Sequence, residues 1–195
     1  MEEIYPKIWE LAKSYYLKGR PMDIDHVEWM MEQAKVLCQK EDIDKTLLMP
    51  LVILHDVGYG ETGPAYFEKD LKKDHMIAGK KISREILEKV NYPEDKIKII
   101  ENYISIHDNW IYGEYEIYKE NNTIGSFSDL DYMWMATPKG FEAVRKIIHK
   151  SKKEMIEFIM SCDKLKYYSF VTKTAKELFE KYMSERKKET DIELN

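Results

Sequence analysis

Apolar residues along this chain recur at intervals of three and four almost everywhere, and strict alternation is nearly absent. A spacing near 3.6 keeps one face of a helix apolar, whereas alternation serves strands, so the pattern predicts an all-α fold. A first helix is expected over residues 3–17, with Ile4, Ile8, Leu11 and Tyr15 on one face, stopping at Gly19-Arg20-Pro21. A second opens near Asp25 as N-cap and turns Trp29, Met30, Ala34 and Leu37 inward. Asp44 caps a third, through Leu47, Leu48, Leu51, Val52 and His55, ended by Gly58 and weakened by Pro50. Residues 58–73 read as a loop, and Asp74 opens a helix with Ala78, Ile82 and Ile86 in line.

Further helices follow the same logic. Pro93 suits the first turn of one that faces Ile97, Ile100 and Ile104 inward. Residues 108–123 look irregular, Ser126 or Ser128 starts a helix through Asp131 and Met135, and Pro138 marks the next boundary. Ser151 with Glu154 fits a capping box. The last helix is expected over about residues 170–186, with residues 187–195 as a loose tail. No internal repeat and no linker divides the chain.

Composition narrows the functional classes. With 195 residues, 44% apolar, 34% charged, 8 Gly and 6 Pro, the chain is globular and long enough for a proper core. Its 31 basic and 36 acidic residues leave a net charge of −5, without the basic excess of a nucleic-acid module, so no nucleic acid polymer is expected as partner. The longest strongly apolar run, residues 47–54, is far short of the ~20 needed to span a bilayer, so a cytoplasmic protein without membrane contact is expected. Cys38 and Cys162 form no CxxC pattern and read as small buried hydrophobes.

Histidine placement changes the picture. Four of the five histidines fall within the first 110 residues, each at or near a predicted helix edge. His55 projects from the face of Leu48 and Leu51, His107 from that of Ile100 and Ile104, and His75 from that of Ala78 and Ile82. His26 lies one turn before Trp29 and Met30. A lone core histidine bonded to a carbonyl is the ordinary reading of any one of them. Four of them, together with Asp56 and Asp131, point instead to a metal site, because neutral imidazole suits first-row transition metals and carboxylates complete such spheres. A His/Asp shell without thiolates suits a catalytic rather than a structural ion.

The order His26, the pair His55-Asp56 and a distant Asp131 resembles the H…HD…D signature of the HD superfamily of metal-dependent phosphohydrolases. LVILHDVGYG, DHMIAGKKISREIL, YISIHDNW and SDLDYMW resemble further words of that family, in order, over about residues 20–136. The resemblance implies an HD-type helical bundle over residues 1–136, with residues 137–195 as a C-terminal helical extension packed on the same domain. It implies one divalent ion (Mn, Fe, Co, Ni, Mg or Zn) on His26, His55, Asp56 and Asp131, with Asp129 as a cap or supporting residue. That ion would polarise a phosphoryl oxygen and acidify water, which Asp56 helps to steer. His75 and His107 join Asp56 as expected catalytic residues, either holding a second ion or binding substrate phosphate.

The expected activity is hydrolysis of a phosphoester, a nucleotide or another small phosphorylated metabolite. Two specialised branches of the superfamily are disfavoured. HDVGYGE does not place Glu61 as in the HDxxED word of guanosine-polyphosphate hydrolases, and the GYG at residues 58–60 is not the GYP segment of cyclic-di-nucleotide phosphodiesterases. A di-iron oxygenase of this fold and a non-catalytic metal-containing sensor are the alternatives, and a homo-oligomer is compatible with all three. Tyr59, Tyr66, Trp110, Tyr112 and Tyr115 either stack on a base or pack the loops; Lys72, Lys73, Lys80 and Lys81 either meet phosphate or solvate a helix; His149 reads as a surface residue.

Overall fold

The structure, a computed structural model, describes residues 3–64 and 68–193; Tyr66 lies outside them. The fold is all-α, and among the described residues there is no strand. The chain divides into two compact units, Met1–Glu114 and Tyr115–Asn195.

The first unit is built around a helix that is apolar on every side. Helix α3 (Lys45–Leu54) buries each residue from Leu47 to Leu54, which only a central position can satisfy. Asp44 caps it, accepting from the Thr46 amide at 2.8 Å. Pro50 lies inside α3, so the Thr46 carbonyl four residues earlier loses its helical donor. The Tyr92 hydroxyl replaces that donor at 2.7 Å, which is how the fold tolerates the proline. Around α3 stand α1 (Ile4–Gly19) and α2 (Asp23–Lys40), then a single turn, α4 (Tyr59–Thr62), and the longer α5 (Lys69–Lys89) and α6 (Glu94–Ile104).

Helix α1 faces inward one position away from the predicted stripe. Tyr5, Ile8, Ala12 and Tyr16 are buried, while Leu11 is 36% exposed. The reason is polar: the Tyr16 hydroxyl donates to the Ile53 carbonyl at 2.9 Å, and the Tyr5 hydroxyl to the Lys45 carbonyl at 3.4 Å. The Tyr16 hydroxyl supplies a donor to a carbonyl in the last turn of α3, where carbonyls have no helical N–H to accept from, and the Tyr5 hydroxyl adds a weaker bond at the first turn. Three other expectations also shift. Asp25 sits in the first turn of α2 and Met22 is the N-cap; α5 starts at Lys69, ahead of Asp74; Pro93 is the N-cap of α6.

Gly58 decides how closely the turn after α3 approaches α5. A Cβ there would lie 1.9 Å from the His75 carbonyl oxygen, a backbone atom that cannot swing aside. Gly58→Ala is therefore expected to destabilise the protein by about 3 kcal/mol. Urea unfolding of the two proteins checks this, and a wild-type midpoint in the variant would contradict the packing.

The second unit holds α7 (Ile117–Glu120), α8 (Asn122–Met133), α9 (Pro138–Ile147), α10 (Lys152–Ser161), α11 (Asp163–Tyr167) and α12 (Lys173–Glu193). Asn121 caps α8 by accepting from the Thr123 amide at 2.7 Å, so that helix begins earlier than Ser126. Ser151 and Glu154 form the expected capping box on α10. Helix α12 runs on to Glu193 where a loose tail was expected; its Arg186 forks onto Glu189 one turn along, with Nε to Oε2 at 2.9 Å. Both cysteines are free and half-buried. Among the described residues no helix is long and apolar enough to cross a membrane.

Candidate metal centre

Four short stretches of the first unit converge on one buried cluster. His26 occupies the first turn of α2, His55 is the C-cap of α3 with Asp56 next, His75 lies on α5, and His107-Asp108 follow the end of α6. All six side chains are buried. One ligand atom each from His26, His55 and Asp56 lie within 4.8 Å of one another, and so do those from Asp56, His75, His107 and Asp108. Asp56 belongs to both groups.

Backbone carbonyls fix two of the imidazoles. His55 Nδ1 lies 2.9 Å from the Val52 carbonyl, and His107 Nδ1 lies 2.8 Å from the Ile104 carbonyl. A carbonyl only accepts, so Nδ1 carries the proton in each neutral ring and Nε2 presents its lone pair. Those Nε2 atoms face a carboxylate. His55 Nε2 is 3.3 Å from Asp56 Oδ2, while His75 Nε2 and His107 Nε2 are each 3.4 Å from Asp56 Oδ1. The two Nε2 atoms of His75 and His107 are 3.2 Å apart. Lone pairs gathered at these distances repel one another unless a cation or protons lie between them. The donor set of imidazole nitrogen and carboxylate oxygen fits a divalent transition metal.

Charge at the cluster follows from burial and neighbours. Burial opposes ionisation of Asp56, but the His55, His107 and His75 rings outweigh it and hold the carboxyl well below the usual carboxylate range. Burial pushes His26 well below the ordinary imidazole value, aided by His55, and lowers His75 against the pull of Asp56. Rings kept neutral in this way offer lone pairs without first shedding a proton. Protons are accordingly expected to compete for His26 and His75 only below the ordinary imidazole range near ~6.5, so that metal bound through them is not lost around that pH. Dialysis against a fixed metal buffer across that range tests this; a loss centred near pH 6.5 would contradict it.

Residues that the sequence reading left aside complete the surroundings. Arg20 places Nε 3.0 Å from Asp23 Oδ2 and a terminal nitrogen 3.8 Å from Asp56 Oδ2. Its guanidinium lies 4.5 Å from the centroid of Tyr59, and Tyr59 stacks on His75 at 4.1 Å with planes 7° apart. Burial, outweighing Arg20, pushes Asp23 up to about 7. Lys72, one of four lysines read as phosphate-meeting or solvated, is buried and bonds Asp108 Oδ2 at 2.6 Å; Lys73, Lys80 and Lys81 are exposed.

The remaining predicted residues divide between the units. Trp110 Nε1 donates to Asp108 Oδ1 at 2.8 Å, and the Tyr112 hydroxyl donates to the Lys69 carbonyl at 2.6 Å. Tyr115 stacks on Tyr167 and Tyr168 in the second unit, and His149 is exposed. Asp131 is a half-buried residue near the end of α8, where its charge favours the Lys164 ammonium. Its role as a ligand rests on the sequence resemblance alone. Asp129 is fully buried mid-helix rather than at a helix start, and it is taken by Lys164.

The family model of the HD domain matches residues 23–194. The chain belongs to the HD-domain family. No curated protein and no solved structure matches it. Membership places this HD-domain chain in a superfamily of the metal-dependent phosphohydrolase type, and its buried His/Asp cluster fits a metal site.

Proposed function

We propose that this HD-domain protein hydrolyses a phosphate ester of a small molecule, a nucleotide or another phosphorylated metabolite, at a divalent ion held by His26, His55 and Asp56. The carrying observation is the convergence of carbonyl-fixed imidazoles on an ionised, buried Asp56. When bound, the ion supplies Lewis acidity for a phosphoryl oxygen and for water. Asp56 orients the attacking water, and His75 and His107 close the side of its carboxylate that turns away from His55. Arg20, largely buried and with its guanidinium 4.5 Å from the centroid of the Tyr59 ring, adds positive charge beside the cluster, which favours a phosphate dianion over a neutral substrate.

The test is phosphate release from a panel of phosphomonoesters and nucleotides, using full-length protein whose metal content has been verified by elemental analysis. Release that disappears in His55→Ala and with chelator supports the reading. No release from any member by fully loaded protein would sink it in favour of a sensor. A second reading, a di-iron oxygenase, is favoured by one observation, the four-residue group that shares Asp56 with the first. Oxygen consumption dependent on iron, with no phosphate release, would select it.

A further inference from the structure

Asp108 and Lys72 are the parts of this cluster that the proposed hydrolysis leaves unused. Among the ligand atoms of Asp56, His75, His107 and Asp108, five of the six distances are 3.2, 3.4, 3.4, 3.5 and 3.7 Å, and the sixth, between the two carboxylates, is within 4.8 Å. A tetrahedral ion with bonds of about 2.1 Å needs its ligands about 3.4 Å apart. Each imidazole nitrogen therefore already stands close to the spacing such an ion requires from the other and from both carboxylates. The two oxygens of Asp108 are divided in their duties. Oδ1 accepts from Trp110 Nε1 at 2.8 Å, which fixes the carboxylate, and Oδ2 faces the two imidazoles. Support of this kind from a hydrogen-bonding neighbour is what a ligating carboxylate needs to keep its aim.

Lys72 reaches the same oxygen. Its Nζ lies 2.6 Å from Asp108 Oδ2, deep in the protein, with the ring of Tyr59 5.9 Å away. An ammonium here neutralises Asp108 without any ion. It also places a positive charge against the position an ion would take.

The resemblance already implies that Asp56, His75 and His107 can hold a second ion; we propose that Asp108 is a further ligand of that position in this chain, and that Lys72 is a built-in cation competing with the ion for Asp108. The inference rests on the same buried cluster as the proposed hydrolase, through Asp56, but not on which reaction the protein performs. Removing the ammonium acts twice in one direction. It relieves the repulsion between two cations, and it leaves a buried carboxylate that only an ion can neutralise. Lys72 thus sets the affinity of this position without touching the ion, which makes it a positioning residue.

The experiment is titration of metal-free full-length protein with Co²⁺, followed by equilibrium dialysis and by the visible absorption of tetrahedral cobalt. Wild type is expected to take up two ions, the second more weakly. Lys72→Met should bind that second ion at least about tenfold more tightly, whereas Lys72→Arg should stay near wild type. Asp108→Asn should lose one ion and keep the other. Because that change strands the Lys72 ammonium, the double variant Lys72→Met/Asp108→Asn serves as its folded counterpart and should bind one ion. Second-ion binding in Lys72→Met no tighter than in wild type would overturn the proposal. So would two ions in either Asp108 variant, or a single wild-type ion indifferent to both residues. In that last case phosphate release that depends on His55 would leave the hydrolase reading standing, so the two failures are distinguishable.

Discussion

Asp56→Asn should lose bound metal and phosphate release together, with activity falling about a thousandfold or more. Asp56 is the residue common to both ligand groups, with Oδ2 3.3 Å from His55 and Oδ1 3.4 Å from both His75 and His107. An amide has nearly the same shape but no charge and one fewer acceptor oxygen. It cannot balance a divalent ion in a buried site, where charge interactions are strong. Lewis-acid stabilisation is worth several kcal/mol, and each ~1.4 kcal/mol is tenfold in rate, which gives the expected size. Elemental analysis beside the phosphate assay is the check, with circular dichroism to show the fold intact. A variant that keeps its metal and its rate would remove Asp56 from the centre.

Asp129→Ala is expected to cost about 3–5 kcal/mol of stability, the largest effect predicted away from the cluster. Asp129 and Lys164 are both essentially inaccessible, and the Lys164 ammonium bonds an Asp129 oxygen directly. The other Asp129 oxygen accepts from the Val171 amide at 2.9 Å, and Lys164 also donates to the Tyr168 carbonyl at 3.1 Å. The pair thus pins the connection between α11 and α12 to α8. Burial pushes the Asp129 carboxyl up and the Lys164 ammonium down, and each partner's charge opposes that push on the other. Removing the carboxylate strands the ammonium, which must deprotonate or drag water inward. For a chain of this size the expected drop in Tm is about 10 °C. Thermal unfolding of Asp129→Ala beside Asp129→Leu/Lys164→Met tests it. The single variant should be much the less stable, and equal losses in both would mean that the charges themselves contribute nothing.

Much of the helical order was legible because it is local. Asp44 ahead of an apolar run, Ser151 three residues before Glu154, and the three-four spacing of Ile97, Ile100 and Ile104 each specify a helix from neighbours alone. The register of α1 was not legible. Ile4, Ile8, Leu11 and Tyr15 make as good a stripe as Tyr5, Ile8, Ala12 and Tyr16, and the choice turns on the Ile53 carbonyl at the end of α3, which takes its donor from the Tyr16 hydroxyl. The extent of α12 was hidden as well. A charged stretch reads as a solvated tail until its (i, i+3) partners, such as Arg186 and Glu189, are seen on one face.

The sequence by itself determined the all-α class, the family, and the placing of His26, His55 and His107 at or near helix ends and of His75 on a helix face, all with their side chains inward, since each depends on spacing within a turn or two. Only the tertiary structure decided which charged residues are buried and with whom. Lys72 and Asp108 are 36 residues apart, and Lys164 and Asp129 are 35 apart. In sequence nothing joins them: Lys72 reads as meeting phosphate or solvating a helix, and Asp129 as a cap or supporting residue. A charge leaves water only when a partner of opposite sign is held beside it, and which partner that is depends on how distant helices pack.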